Sequence, residues 1–228
     1  MILIKDLSVS YNKNENVIED LSLQLQENHI HGIVGLNGAG KTTLLNTIFG
    51  LKKQNKGEIL LDDERLTKKS IAFLPTENYF YTNITGREYL NIFKNKHFDI
   101  EKWNKLFILP LDGIIETYST GMKKKLALFA ILEKDKPVML LDEPFNGLDI
   151  ETERIIRSVL LKLKDKDKTI IITSHVLERL TNLCDDIHYL ENGKIKLRVG
   201  KDKFDEFRNK IYSSIENKNK KLIDELMR

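Results

Sequence analysis

Residues 35–42 read G-L-N-G-A-G-K-T and match the phosphate-loop pattern G-x-x-x-x-G-K-[S/T] at all of its fixed positions. An apolar, strand-like run occupies residues 29–34 before the motif, and a helix-compatible run occupies residues 43–49 after it. The motif binds phosphate in this context of strand, glycine loop and helix. The segment therefore predicts a nucleotide site at the end of a core strand.

Each position of this motif has a chemical role. Glycines let successive backbone N–H groups turn toward phosphate oxygens, and the helix N-terminus adds partial positive charge. Lys41 would reach the β- and γ-phosphates, and the Thr42 hydroxyl would hold Mg²⁺. The alternative is a glycine-rich turn without a ligand, against which the complete motif in its proper context argues.

The composition disfavours several classes of protein. The 228 residues contain 37 Lys and Arg against 34 Asp and Glu, a formal charge of +3. We expect no nucleic-acid partner, because proteins that bind nucleic acid cluster their basic charge. The apolar runs have strand length, well below the roughly twenty residues that span a bilayer, and no signal-peptide pattern opens the chain. The single cysteine, Cys184, agrees with a reducing cytoplasm.

Strand and helix signals alternate along most of the chain and predict an α/β fold. Residues 1–77 and 130–200 are predicted to form a phosphate-loop NTPase core with a mostly parallel sheet and an N-terminal antiparallel β subdomain. Residues 78–129 combine helical segments with aromatic residues and are predicted to be an inserted helical subdomain. The charged tail, residues 201–228, is predicted to be helical. Together these parts are predicted to form one nucleotide-binding domain.

Two acidic residues follow a second apolar strand signal. Residues 138–141 read V-M-L-L, and Asp142 and Glu143 come directly after them. Both acids are expected beside the phosphate loop, because ligands of doubly wound sheets lie beyond the carboxyl ends of the strands. Asp142 suits the Mg²⁺ shell, directly or through water, and Glu143 suits activation of the attacking water.

With these elements in place, the chain resembles the ATP-binding cassette (ABC) ATPases over nearly its whole length. Residues 118–126 read Y-S-T-G-M-K-K-K-L and are similar to the family's L-S-G-G-Q signature, in the same place between the phosphate loop and Asp142. Ser119 and Gly121 match that signature. The chain departs from it at Tyr118, Thr120 and Met122. The variant Y-S-T-G-M is similar to cassettes of drug, antibiotic-peptide and sodium exporters.

The resemblance implies roles for further residues. Lys41 and Glu143 would serve catalysis together with His175, which resembles the family's switch histidine at the γ-phosphate. Tyr11 falls where an aromatic ring stacks on adenine, and Asp149 falls in a loop at the seam between two cassettes. The nucleotide-binding set would be Tyr11, Asn37, Gly38, Ala39, Gly40, Lys41, Thr42 and Thr43. The set that contacts ATP of the partner cassette would be Ser119, Thr120 and Gly121.

One position departs from the family pattern in a way that concerns the metal. The family carries Gln after a core strand where this chain has Thr76, followed by Glu77. Because threonine is shorter than glutamine, either Glu77 or a bridging water would take the place of the glutamine. The metal ligands implied are Thr42 and Asp142, with Glu77 as the open alternative. The aromatic residues 79–81 are interpreted either as packed core or as a docking surface for a membrane subunit.

The resemblance implies an ATPase that uses ATP and Mg²⁺ in a site shared with a second cassette, as a homodimer or a heterodimer. A chain without a membrane span of its own would work with an integral membrane transporter subunit, at the inner face of the cell membrane. The signature variant favours an exporter. The alternative is a soluble ABC ATPase of ribosomes or DNA, which typically carries two cassettes or long insertions. A GTPase is disfavoured because no Asn-Lys-x-Asp segment is present, and a small-molecule kinase would not explain the placement of residues 119–121 and His175.

Overall fold

Ten strands and seven α-helices form the described part of this computed structural model, which comprises residues 1–12, 15–93 and 97–227. The strands are β1 (Ile2–Asn12), β2 (Glu15–Leu25), β3 (Ile30–Val34), β4 (Lys56–Leu61), β5 (Glu64–Arg65), β6 (Ile71–Leu74), β7 (Val138–Asp142), β8 (Thr169–Ser174), β9 (Asp186–Glu191) and β10 (Lys194–Gly200). The helices are α1 (Lys41–Phe49), α2 (Gly86–Asn91), α3 (Ile100–Phe107), α4 (Thr120–Glu133), α5 (Ile150–Lys164), α6 (Glu178–Thr181) and α7 (Phe204–Leu226).

The strands form two sheets. Four of them make an antiparallel sheet in the order β2-β1-β4-β5. The other six make a sheet in the order β10-β9-β3-β8-β7-β6, in which the strands from β9 to β6 run parallel and β10 pairs antiparallel with β9. The predicted α/β fold, with an antiparallel sheet beside a mostly parallel one, is confirmed.

Both faces of the parallel sheet are covered, which explains its continuous apolar strands. In β8, Ile170 and Ile172 face one hydrophobic cluster, and Ile171 between them faces the other. A strand buried on both faces needs an apolar side chain at every position. Polar residues appear where these strands end. For example, Asp142 at the end of β7 lies opposite Thr173 of β8. The carboxyl edge of the sheet is therefore its polar edge.

Residues 78–129 contain α2, α3 and most of α4, and aromatic rings join α3 to α4. Trp103 stacks on Phe98, and Phe107 stacks on Phe129, with ring centroids 5.5 and 5.0 Å apart. Residues 94–96 of this segment lie outside the described residues. α4 continues past residue 129 to Glu133, because its buried residues 126–132 pack in the same core as the sheet. The division into subdomains remains a prediction.

The aromatic residues 79–81 have different environments. Phe80 packs on Tyr89 with ring centroids 5.0 Å apart and lies against the main hydrophobic cluster. Tyr79 and Tyr81 are 85% and 66% exposed. Phe80 is therefore packed, as one interpretation of this cluster expected, while the two tyrosines remain available to a partner.

The C-terminal helix α7 confirms the prediction of a helical tail. Phe204 and Phe207 at its start are buried, so the beginning of the helix is anchored in the core. The rest of α7 carries many charged residues. Within the residues that the structure describes, no helix combines the length and the apolar character needed to cross a bilayer.

A buried polar cluster joins β3 to β9. His31 Nδ1 donates to Asp186 Oδ1 at 2.7 Å, and Nε2 of the same ring lies 2.8 Å from the carbonyl oxygen of Gln26. His188 Nε2 lies 3.0 Å from Asp186 Oδ1, and Arg198 donates to Oδ2 at 2.9 Å. Burial by itself raises the pKa of Asp186, but the hydrogen bonds of His188 and His31 outweigh it and hold that pKa well below its usual range. Burial lowers the pKa of His188.

We expect this cluster to make the fold less stable as the pH falls. Below about pH 6.5, His188 takes up a proton in the unfolded chain but stays neutral to lower pH in the folded chain. Below about pH 4, Asp186 likewise takes up a proton in the unfolded chain but stays ionised in the folded chain. Because the unfolded state binds more protons in both ranges, the free energy of unfolding decreases by up to about 1.4 kcal/mol per pH unit for each group. Denaturant unfolding between about pH 7.5 and pH 3.5 measures the slope. In His188→Phe, the free energy of unfolding should depend less on pH between about pH 7.5 and pH 5. An unchanged slope in that range would contradict the role given to His188.

Candidate active site

The phosphate loop lies between β3 and α1 and has the backbone that its glycines permit. Gly38 and Gly40 have φ values of 81° and 105°, in the left-handed region that favours glycine. A Cβ atom at Gly40 would lie 2.8 Å from Ile18 Cδ1, so a larger residue would clash as well. α1 begins at Lys41 directly after this turn. Its N-terminus therefore faces the space above the loop.

This space is a cavity of 460 Å³ at the carboxyl edge of the parallel sheet. The loop, the β7 end and the β8 end all contribute to it. Its lining residues are Val17, Asn37, Gly38, Gly40, Lys41, Thr42, Thr43, Thr76, Glu143, Asn146 and His175. The structure thus brings together in one pocket most of the residues that the sequence predicted for the nucleotide, the metal and catalysis.

Lys41 is the buried cation of this pocket. Its side chain is 7% exposed, and its Nζ donates to the carbonyl oxygens of Gly35 at 2.7 Å and Leu36 at 3.1 Å. Burial lowers the pKa of Lys41, while the negative charges of Glu143 and Asp142 oppose that shift. The ammonium group is therefore held inside the loop by hydrogen bonds to carbonyl oxygens, and phosphate oxygens can replace these acceptors.

Asp142 accepts hydrogen bonds from threonine hydroxyls of three different segments. Thr173 of β8 donates to Oδ1 at 2.5 Å, whereas Thr42 and Thr76 donate to Oδ2 at 2.8 and 2.6 Å. The Asp142 side chain is completely buried. Carboxylate and hydroxyl oxygens are the hard donors that Mg²⁺ prefers, so Thr42 and Asp142 fit this ion.

Glu143 has a strained backbone and a histidine partner. Its φ is 50°, a left-handed conformation that costs a non-glycine residue about 1–3 kcal/mol and that often occurs at functional sites. Its N–H donates to Thr173 Oγ1 at 3.0 Å, and His175 Nδ1 donates to its Oε1 at 2.9 Å. The Glu143 side chain is 10% exposed and that of His175 is 40% exposed. The carboxylate is therefore oriented on both sides at the pocket wall.

Thr76 and Glu77, which stand where the family carries glutamine, have different surroundings. The Thr76 hydroxyl donates to Asp142 Oδ2 at 2.6 Å, so Thr76 contacts a predicted metal ligand, while its shortness relative to glutamine at the metal stays a prediction. Glu77 is exposed, does not line the pocket and accepts a hydrogen bond from the Tyr79 hydroxyl at 3.3 Å. Glu77 is therefore turned toward the exposed aromatic residues.

Two predicted nucleotide-binding residues lie beside the pocket lining. The Tyr11 ring is 58% exposed, its hydroxyl is 3.4 Å from Thr43 Oγ1, and Lys52 Nζ lies 4.2 Å from the ring centroid. Ala39 is buried and packs in the core beneath the antiparallel sheet. The adenine role of Tyr11 stays a prediction, and Ala39 contributes to the loop through packing and its backbone.

The signature residues lie outside this pocket. Ser119 is the N-cap of α4, and its Oγ accepts from the Met122 N–H at 3.2 Å. A Cβ atom at Gly121 would lie 3.3 Å from the Gly147 carbonyl oxygen, which shows how closely α4 approaches the loop before α5. Ser119, Thr120 and Gly121 are absent from the pocket lining. The start of α4 is therefore a separate, partly exposed surface of the same chain.

Asp149 caps the next helix. It is the N-cap residue of α5 and accepts from the backbone N–H and the hydroxyl of Thr152, both at 2.8 Å. The hydrogen bonds from Thr152 lower the pKa of Asp149. This carboxylate has a structural task in its own chain, and its predicted place at a seam between cassettes stays a prediction.

Sequence reasoning missed two residues that support the site. Thr173 bonds to both acids, and parallel pairing of β7 with β8 places it opposite Asp142. Lys124 of α4 is 7% exposed, and its Nζ donates to the Thr76 carbonyl oxygen at 3.3 Å. Burial lowers the pKa of Lys124, while Asp142 and Glu143 oppose that shift. Its helical spacing of three and four residues from buried Ala127 and Leu128 was the available signal.

The fold and this pocket define a phosphate-loop nucleotide-binding protein. A family model described as ABC transporter matches residues 18–146, more than half of the chain. The chain therefore belongs to the ABC transporter family, as the signature segment had indicated. It is an ATPase of the ATP-binding cassette type.

Two relatives from Bacillus subtilis (strain 168) have matching names. The ABC transporter ATP-binding protein NatA is 31% identical over 218 residues, covering 87% of this chain and 89% of NatA. The uncharacterized ABC transporter ATP-binding protein YhcH is 33% identical over 197 residues, covering 80% of this chain and 65% of YhcH. The chain therefore spans less than two thirds of the length of YhcH but most of NatA.

A solved structure has the same fold. It is the ATP-binding cassette MJ0796, described as a dimeric post-hydrolysis state bound to ADP and Pi. The TM-score is 0.78 at 23% sequence identity, and the match covers 88% of this chain and 99% of the other. At this level of identity the likeness concerns the fold.

Proposed function

We propose that this chain is the ATP-hydrolysing subunit of a membrane exporter and works as a dimer around two ATP molecules. One observation carries the dimer. Lys41, Glu143 and His175 line one pocket, whereas Ser119 stands at the start of α4 outside it. A second cassette would supply its own Ser119 to complete that pocket. The dimeric state of MJ0796, which shares the fold, supports a dimer.

The chemistry that we propose for the pocket is phosphoryl transfer to water. Phosphoryl transfer depends mainly on positioning and charge neutralisation. Lys41 would exchange its bonds to the Gly35 and Leu36 carbonyls for bonds to phosphate oxygens. Glu143, oriented by its hydrogen bond with His175, would accept a proton from the attacking water. Mg²⁺ bound by Thr42 and Asp142 would neutralise phosphate charge.

The signature segment would act on the ATP of the second cassette. The N-terminus of α4 carries partial positive charge, and the Ser119 hydroxyl and Gly121 N–H belong to its first turn. Donors of this kind stabilise the charge that develops on the γ-phosphate. Hydrolysis removes these bridging contacts, so the dimer would open after each cycle. Nucleotide state would thereby drive movement in attached membrane subunits.

We propose a place at the inner face of the membrane, on integral transporter subunits. The family description and the names of both relatives support transport. The Y-S-T-G-M variant of the signature favours export. Extraction of cells with a gentle detergent should recover this chain together with an integral membrane protein. Recovery with ribosomes or DNA instead would contradict transport while leaving ATP hydrolysis intact.

A mixing experiment tests the shared site. Lys41→Ala disables the pocket of its own chain, and Ser119→Glu places a negative charge against the phosphate of the partner. We expect each variant alone to be inactive and the equimolar mixture to recover roughly a quarter of the wild-type rate, because half of the symmetric dimers then contain one intact site. Phosphate release measures the rate, and Ser158→Glu on exposed α5 surface controls for added charge. A mixture as inactive as its components would exclude a site shared by two copies.

A further inference from the structure

Lys124 is a buried lysine on the helix that begins with the signature segment. It is the middle residue of Lys123-Lys124-Lys125, whose outer members are partly exposed, whereas Lys124 is 7% exposed. Its Nζ donates to the carbonyl oxygen of Thr76, a residue that lines the phosphate pocket. The Lys124 side chain therefore connects α4 with the pocket of its own chain.

The buried ammonium group of Lys124 needs opposite charges or hydrogen bonds to offset its loss of hydration. Burial of a charge is costly unless opposite charges or several hydrogen bonds offset it. The Thr76 carbonyl engages one of the three donors of the ammonium group. The negative charges that act favourably on Lys124 are those of Asp142 and Glu143. The charge that stabilises Lys124 therefore belongs to the active site.

Thr76 links Lys124 to Asp142 through two of its atoms. Its carbonyl oxygen accepts from Lys124, and its hydroxyl donates to Asp142 Oδ2 at 2.6 Å. The same Oδ2 accepts from Thr42 of the phosphate loop at 2.8 Å. Movement of Lys124 would release the Thr76 backbone and change the direction of its hydroxyl. The orientation of the Asp142 carboxylate would change with it.

We infer that Lys124 is a positioning residue for ATP hydrolysis, which holds Thr76 so that Thr76 orients the Asp142 carboxylate. This inference rests on the proposed function of the pocket. Lys124 lies five residues after Ser119, about 7.5 Å along the helix axis. The same helix therefore serves its own pocket through Lys124 and would serve the partner's pocket through Ser119. Misplacement of a catalytic group by about 1 Å lowers rates by about a hundredfold.

Lys124→Met tests this role because it keeps the length of the side chain and removes the ammonium group. We expect kcat to fall at least about tenfold, while KM for ATP changes less than about threefold because Lys41 and the loop are intact. The thermal unfolding midpoint reports separately on stability, because removal of one partner of a buried charge contact can lower it without touching catalysis. Lys105→Met, on the exposed surface of α3, makes the same charge change and should behave as wild type. A lower midpoint with unchanged kcat per folded molecule would overturn the inference.

A double-mutant cycle with Thr76→Val separates this pathway from a general effect. If Lys124 acts through Thr76, the double variant should lose no more kcat than the more impaired single variant. Fully additive losses would overturn the inference. Lys124→Gln, which keeps a donor without the charge, takes the place of Lys124→Met in the cycle if that variant does not fold. Failure of the proposed function is recognised separately, as absence of ATP hydrolysis by the wild-type protein.

Discussion

Glu143→Gln should lower steady-state ATP hydrolysis by about two to four orders of magnitude and leave ATP binding intact. The amide has the shape of the carboxylate but cannot accept the proton of the attacking water. The Glu143 carboxylate is oriented by His175 at 2.9 Å and by a left-handed backbone that Thr173 fixes. Loss of this base should lower the hydrolysis rate strongly, because no other acidic residue lines the described pocket. The variant should therefore accumulate as an ATP-bound dimer.

Phosphate release measures the hydrolysis rate of this variant, and size-exclusion chromatography with Mg²⁺ and ATP measures its dimer. Glu151→Gln, an exposed glutamate in the first turn of α5, provides the matched control and should hydrolyse ATP as wild type does. Wild-type hydrolysis by the Glu143→Gln protein would remove Glu143 from its proposed role as general base. A variant that is slow but remains monomeric with ATP would retain that role and contradict the nucleotide-bridged dimer.

Lys41→Met should weaken ATP binding by about two orders of magnitude or more. Lys41 is the only lysine among the described residues that line the pocket. Its Nζ lies inside the loop, within hydrogen-bond distance of the Gly35 carbonyl oxygen. Truncation of one partner in a buried charge contact costs about 2–5 kcal/mol. Hydrolysis falls at the same time, because the same ammonium group neutralises charge that develops during phosphoryl transfer.

Equilibrium titration with a fluorescent ATP analogue at constant Mg²⁺ and ionic strength measures the loss of affinity. Lys53→Met makes the same charge change on an exposed residue just after α1, and its affinity should equal that of the wild type. Thermal unfolding checks that the Lys41→Met protein is folded, which we expect because methionine keeps the length of the lysine side chain. Unchanged affinity would show that the nucleotide binds elsewhere.

The local elements of this fold were predictable because their signals depend on neighbouring residues. The strand signal at residues 138–141 falls within β7 (Val138–Asp142), and the helix after the phosphate loop begins at Lys41, two residues before the predicted run. The glycines of the phosphate loop indicated a backbone that turns around phosphate, and Gly38 and Gly40 have the positive φ values of such a turn.

The contacts around Asp142 were not predictable to the same degree. Its carboxylate meets hydroxyls of Thr42, Thr76 and Thr173, which are separated from it by 100, 66 and 31 positions along the chain. Such contacts depend on the order and register of β6, β7 and β8, which hydropathy does not encode. For this reason the hydrogen bond between Thr76 and Asp142 could not be read from the sequence.

From the sequence alone came the nucleotide chemistry and the α/β class, because a strand, a glycine loop with Lys41 and Thr42, and a strand ending in Asp142 and Glu143 are local patterns. The tertiary structure alone decided which side chains meet: His175 with Glu143, and Lys124 with Thr76. The physical reason is that hydropathy and backbone propensity act over a few residues, whereas these contacts arise from packing between segments that are distant in the chain.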